Sequence, residues 1–179
     1  NLCESGYATE AVKKYDRAAI KAGKSRIKEW DYYLISNGKY AVCLTIDDNS
    51  YMSLASASFL DFEKRAYITK STMHALSFGK IGLTPDYRSG SVEYKDKKVY
   101  GKFTQGDGKR NLIFRFRKFD GDRDFECEFD LSDEPRDKMV IATPFNKKGH
   151  FYYNIKVNCM TARGYCKIGD NRYVFSEES

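Results

Sequence analysis

The chain of 179 residues carries 31 basic and 25 acidic side chains, a net charge of +6, and 14 Tyr and 12 Phe against only four Met. This length fits one domain, and the aromatic bias favours sheet over a helical bundle. No run of ~18 apolar residues is present to span a membrane. The chain opens without the basic and apolar regions of a signal peptide, and its charges alternate instead of gathering into a nucleic-acid footprint.

The start, Asn1-Leu2-Cys3-Glu4, lacks an initiator Met, consistent with a true N-terminus further upstream. Cys3, Cys43, Cys127, Cys159 and Cys166 are odd in number and widely spread. That pattern suits reduced, mostly buried thiols and a cytoplasmic location better than a disulfide framework.

Residues 8–22 predict the one helix. Thr9 is placed to cap it, Val12, Tyr15, Ala19 and Ala22 recur at helical spacing, and Gly23 stops it. Residues 1–24 are thus expected to be a helical or irregular segment ahead of a β domain at 25–179. Nucleic-acid binding would require Lys13, Lys14, Arg17, Lys21, Lys24 and Arg26 to join one exposed stripe.

From Ser25 the apolar period becomes two, with turn signals every eight to twelve residues, as in an all-β sandwich or barrel. Asn37-Gly38 predicts a hairpin joining residues 27–36 to 39–47. Trp30, Tyr32 and Leu34 fall on one face of it and Ile27, Tyr33 and Ile35 on the other, so both faces ask for cover. The strand at 51–60 carries Ser53, Ala55, Ser56, Ala57 and Ser58. It reads either as a central strand approached closely by its neighbours, or as a strand kept small to leave room for a ligand.

Further strands are expected at residues 65–72, 91–94, 98–104, 139–143, 151–157, 164–168 and 172–175. The clearest unit is a hairpin turning at Asp120-Gly121. Its register pairs Phe119 with Asp122, Arg117 with Asp124 and Arg115 with Glu126 on a charged face. On the core face Phe116 meets Phe125, Phe114 meets Cys127 and Leu112 meets Phe129.

Motifs that carry chemistry are mostly missing. There is no phosphate-binding Gly-rich loop, dinucleotide fingerprint, His-Glu-x-x-His or Gly-x-Ser-x-Gly. His74 and His150 stand far apart and read as strand-end imidazoles, and no metal or cofactor is expected. The turn Asp47-Asp48-Asn49 reads as turn chemistry in preference to a calcium loop. In Lys156-Val157-Asn158 the polar pair are anchors if their face meets a cavity, and solvated residues otherwise.

Several segments in order resemble one family. Asn1-Leu2-Cys3, Lys28-Glu29-Trp30-Asp31-Tyr32-Tyr33, Leu44-Thr45-Ile46-Asp47 with Tyr51, Phe59-Leu60-Asp61-Phe62-Glu63, Lys156-Val157-Asn158, Ala162-Arg163-Gly164 and Lys167-Ile168-Gly169 are similar to the family domain of unknown function 2804. The resemblance implies an antiparallel, lipocalin-like (calycin-type) β-barrel, the first of two in a longer protein, within a broader group that includes carotenoid hydratases. It also implies a barrel-end closure in which Trp30 packs on a late-strand arginine such as Arg163 or Arg172.

The leading functional expectation is a barrel that contacts a small, partly apolar ligand through Trp30, Tyr32, Tyr51, Tyr153, Lys156 and Asn158, beside a second barrel domain. One alternative is half of a non-redox lyase or hydratase acting on an isoprenoid-like substrate, with Glu29, Asp31 or Asp47 as the acid. Another is an interaction module that docks the second barrel.

Overall fold

The computed structural model describes residue 2 and residues 4–176. Period-two patterning becomes antiparallel sheet almost throughout. One sheet has four strands in sequential order, β2 (Glu29–Ser36), β3 (Tyr40–Asp48), β4 (Met52–Asp61) and β5 (Ala66–Ala75). The other has six: β6 (Gly90–Lys95), β7 (Val99–Gly106), β8 (Lys109–Asp120), β9 (Arg123–Ser132), then β12 (Thr161–Ile168) and β13 (Asn171–Phe175). A small third sheet joins β1 (Gly6–Ala8), β10 (Met139–Pro144) and β11 (Phe151–Lys156).

The inner faces of the two larger sheets share one core. Val42, Leu44, Ile46, Ala55, Ala57 and Phe59 from one side enclose it with Phe103, Leu112, Phe114, Phe125 and Phe129 from the other. Each fully buried Phe removes enough apolar surface to contribute roughly 1.5–3 kcal/mol. β4 lies between β3 and β5, and its Ala55 and Ala57 have no exposed surface. Their small size leaves volume for the phenylalanines opposite.

The barrel does not close. Among the described residues no backbone ladder joins the four-stranded to the six-stranded sheet. Side chains bridge the two seams instead. Asn37 Nδ2 donates to the Val174 carbonyl at 3.2 Å, and Thr72 Oγ1 and His74 Nε2 meet Asp96 Oδ2 at 2.8 and 3.0 Å.

The expected N-terminal helix is absent. Ala8 pairs with Val140 in β1, the Thr9 carbonyl accepts from Lys138 N, and the only helical geometry in the segment is a single 3-10 turn at Arg17–Ala19, capped by the Asp16 carboxylate. A helix of about fifteen residues is marginal on its own. Strand pairing at one end and side-chain bonds to β2 at the other outcompete it.

The β8–β9 hairpin keeps the expected core pairs, Phe116 with Phe125, Phe114 with Cys127 and Leu112 with Phe129, and the charged pair Arg115 with Glu126. Its tip differs. Asp120 pairs with Arg123, so the loop is Gly121-Asp122, with positive φ at Gly121. A bulge at residues 117–119 absorbs the shift. Lys118 takes φ 53 and donates its N–H to Asp124 Oδ1, which replaces the expected Arg117–Asp124 pair, while Phe119 turns into the core. At the β2–β3 turn the loop is likewise one residue later, Gly38-Lys39, with Asn37 N bonded to the Tyr40 carbonyl.

Cys127 and Cys166 sit opposite each other across β9 and β12, both buried and free, and burial pushes both thiols up. Cys43 is half-buried and Cys159 is exposed. Cys3 lies outside the described residues. No helix among the described residues is long and apolar enough to cross a membrane.

Candidate functional site

Alternation along β2 sends Glu29, Asp31, Tyr33 and Ile35 to the inner face and Trp30, Tyr32 and Leu34 outward. Two carboxylates therefore point into the end of the sandwich. Two irregular stretches cross that end. The loop after β5 is tied to β3 by the buried Asp48, whose carboxylate accepts from Ser50 N at 2.8 Å, Ser77 Oγ at 2.7 Å and Ile81 N at 3.3 Å. Burial acts to raise the Asp48 pKa, but these bonds, with one from the Gly79 N–H, hold it below the ordinary carboxylate value. Further on, Gln105 Nε2 donates to Thr84 Oγ1 at 2.8 Å and to the Asp86 carbonyl.

The second stretch, residues 15–28, is held by Glu29. Tyr15 donates its hydroxyl to Glu29 Oε1 at 2.6 Å, and Arg17 Nη1 pairs with Glu29 Oε2. Arg17 Nη2 also donates to Ser50 Oγ at 2.9 Å, and Ser50 in turn donates to the Ile27 carbonyl. Burial and the hydrogen bond to Glu29 push the Tyr15 hydroxyl up, so it stays a donor.

Between the two stretches lies a cleft of about 1070 Å³. Its apolar wall includes Ile20, Ile27, Phe78 and Leu83, Glu29 and Arg17 supply its polar floor, and Lys24 and Lys80 stand at its rim. Behind Glu29, two residues further along the same face, Asp31 carries a buried Oδ2 without a hydrogen-bond partner. Burial pushes its pKa up to about 6. The nearby Arg110 guanidinium opposes this and the Glu29 charge adds to it. Arg110 is itself buried and paired with Glu134 at 2.8 Å, and Glu134 also meets Lys138 at 3.3 Å. Tyr33 donates to Gln105 Oε1 at 3.2 Å, and its hydroxyl is pushed up first by burial and then by the Asp31 charge. The site is a half-apolar cleft, with the buried Asp31 carboxyl further along the same strand face.

Of the residues singled out from sequence, the candidate acid Glu29 lines the cleft, whereas the six expected to contact a ligand lie elsewhere. Trp30 stacks on Tyr152 with ring centroids 5.7 Å apart, and Tyr32 donates to Cys43 Sγ at 3.3 Å, both on the outer face of β2. Of the two arginines expected to close the barrel end on Trp30, Arg172 lies over the Tyr165 ring. Tyr51 sits half exposed beneath Lys28. Tyr153 donates to the Lys13 carbonyl, Lys156 ends β11 exposed, and Asn158 Nδ2 reaches Met139 Sδ. Trp30 and Tyr32 share a face, but the six do not converge on one cavity.

Of the basic residues near the start, Arg17 turns inward to Glu29 and Lys13 is half-buried beside Glu4, while Lys14, Lys21, Lys24 and Arg26 are exposed. Among the described residues no group of three or more His, Cys, Asp and Glu converges as a metal site. The sequence pattern marks Tyr15 only as a helix position and Arg17 only as part of a basic stripe, and it does not single out Arg110. The alternation Glu29-x-Asp31-x-Tyr33-x-Ile35, which sets two acids on a core-facing strand edge, is the signal that points to the site.

These features define a mainly antiparallel β protein of packed sheets with a mixed polar and apolar cleft at one end. The chain belongs to the family described as domain of unknown function (DUF2804), whose model matches residues 1–179. Neither the curated proteins nor the solved structures contain a match.

Proposed function

We propose that the chain binds a small, partly apolar ligand in the cleft between residues 15–29 and 78–85. The observation that carries this reading is an apolar wall of Ile20, Ile27, Phe78 and Leu83 facing a fixed polar floor of Tyr15, Arg17 and Glu29. Small-molecule sites combine these two elements and commonly occupy roughly 300–1,000 Å³. The floor is preorganised, because Arg17 is held by both Glu29 and Ser50 before any ligand arrives. A titration with the neutral fluorophore N-phenyl-1-naphthylamine tests the proposal. Saturable enhancement is expected, and it should be lost in Ile20→Trp, which fills the cleft. Enhancement that survives this substitution sinks the proposal.

A second reading, proton transfer in a non-redox lyase or hydratase, draws support from Asp31. Its carboxyl is raised to about 6 and has an unpaired buried oxygen, which suits a general acid near neutral pH. Asp31 would give its proton to an alkene carbon of an isoprenoid-like substrate, and water would add to the resulting cation and return a proton. Asp31→Asn should then abolish turnover of such an alkene while leaving fluorophore binding intact. Unchanged turnover removes the reading.

A further inference from the structure

The charges around the cleft do not cancel. The Arg17 guanidinium is neutralised by Glu29. Asp16, also in the lining, is solvent-exposed and keeps its negative charge while accepting from the Ala18 N–H at the start of the 3-10 turn, so that with Lys24 and Lys80 the charged lining residues sum to +1. Lys24 and Lys80, one from each irregular stretch, both belong to the cleft lining, and both side chains are exposed. The cleft therefore carries one exposed cation from each of its two stretches, beside a wall of aliphatic and aromatic side chains. A cation pair at the rim of a low-dielectric groove concentrates its field at the opening and favours an anionic group there.

Building on the cleft reading, we propose that the ligand is an anionic amphiphile whose tail lies along Ile20, Ile27, Phe78 and Leu83 and whose acidic head sits between Lys24 and Lys80. A head seated there needs no rearrangement of Arg17, whose donors are already engaged. The tail replaces water along the apolar wall, where burial contributes in proportion to area. The lysines supply an attraction that salt screens, because both are exposed.

Calorimetric titrations with dodecanoate, dodecanol and dodecyltrimethylammonium, each below its aggregation threshold, test this. Dodecanoate is expected to bind about tenfold more tightly than dodecanol, and the cationic analogue more weakly than either. In Lys24→Glu/Lys80→Glu the order of dodecanoate and dodecyltrimethylammonium should reverse, and in Lys24→Gln/Lys80→Gln the preference should vanish. Circular dichroism and melting curves establish that both variants fold. If dodecanol matches dodecanoate in the wild type, the anionic head is wrong while the cleft stands. If none of the three probes binds, the cleft reading falls with it.

Discussion

The Arg17 guanidinium lies directly against the backbone of Gly79, so close that a Cβ built on Gly79 would stand 2.6 Å from Arg17 Nε. Gly79 has φ +86, and its N–H also reaches the Asp48 carboxylate. The two irregular stretches that form the cleft thus touch where one residue has no side chain to interfere.

Gly79→Ala is therefore expected to cost stability twice. A non-glycine residue at that φ pays about 1 kcal/mol, and the new methyl must displace Arg17 from Glu29 and Ser50. A loss of about 1–2 kcal/mol in denaturant unfolding, with weaker fluorophore binding, is the expected outcome. A variant as stable as wild type would show that Arg17 moves freely.

Gly164→Ala should be far more damaging than Gly121→Ala. At Gly164, φ +151, a Cβ would overlap the Glu128 carbonyl oxygen and stand 2.9 Å from the Phe129 Cα, both backbone atoms of the neighbouring strand. Gly121, φ +62, has nothing within 4 Å. Strain alone predicts about 1 kcal/mol at Gly121, whereas Gly164 adds a clash that side-chain movement does not relieve, for about 3 kcal/mol or more. Equal losses in the two unfolding midpoints would contradict the β9–β12 register.

Trp30 is the single tryptophan of the chain, so its emission reports on one contact. Stacking on Tyr152 shields one side of an indole that is otherwise 42% exposed. Tyr152→Ala should shift the emission to longer wavelength and cost about 1 kcal/mol. An unchanged spectrum would mean that the small sheet is not docked on β2.

The parts of this fold legible in the sequence are those set by local alternation. Leu112 to Phe116 and Phe125 to Phe129 alternate with charged residues, and a one-residue slip would bury arginines, so their pairing follows from the pattern. The bulge at Lys118 was not legible. It depends on Phe119 finding the core and on the Asp124 carboxylate catching the Lys118 N–H, both tertiary effects. The N-terminal stretch misled for a related reason. Val12, Tyr15 and Ala19 have helical spacing, but Tyr15 and Arg17 are spent on Glu29, a partner at least twelve positions away. The cleft was hidden for the same reason, since its two sides are aperiodic and meet only through long-range bonds. Asp31 was legible as an acid, but not as one facing Arg110.

The burial of Asp31 gives the chain a defined response to pH. A folded-state pKa of about 6 against an ordinary 3.8 means that the native state holds the Asp31 proton more tightly than the unfolded chain does. The resulting stability is complete below about 3.8 and is lost as pH rises through about 6, with linkage setting the full loss at no more than about 3 kcal/mol. Asp47, raised to about 6 chiefly by burial, acts in the same direction. The difference between wild type and Asp31→Asn isolates Asp31, because Asp47 is common to both. That difference should move in favour of Asp31→Asn by about 2–3 kcal/mol between pH 4 and pH 7. Arg110→Met leaves Glu134 without its buried guanidinium and should cost about 3 kcal/mol. It should also move the Asp31 midpoint further upward, because Arg110 is the charge that holds it down. In the double variant the Asp31 contribution to the pH dependence should disappear while the Glu134 cost stays. Unfolding curves at four or five pH values for the four proteins measure the whole cycle. A flat difference between wild type and Asp31→Asn across this range would mean that Asp31 titrates as a solvated carboxylate, and the proton-transfer reading of the site would go with it.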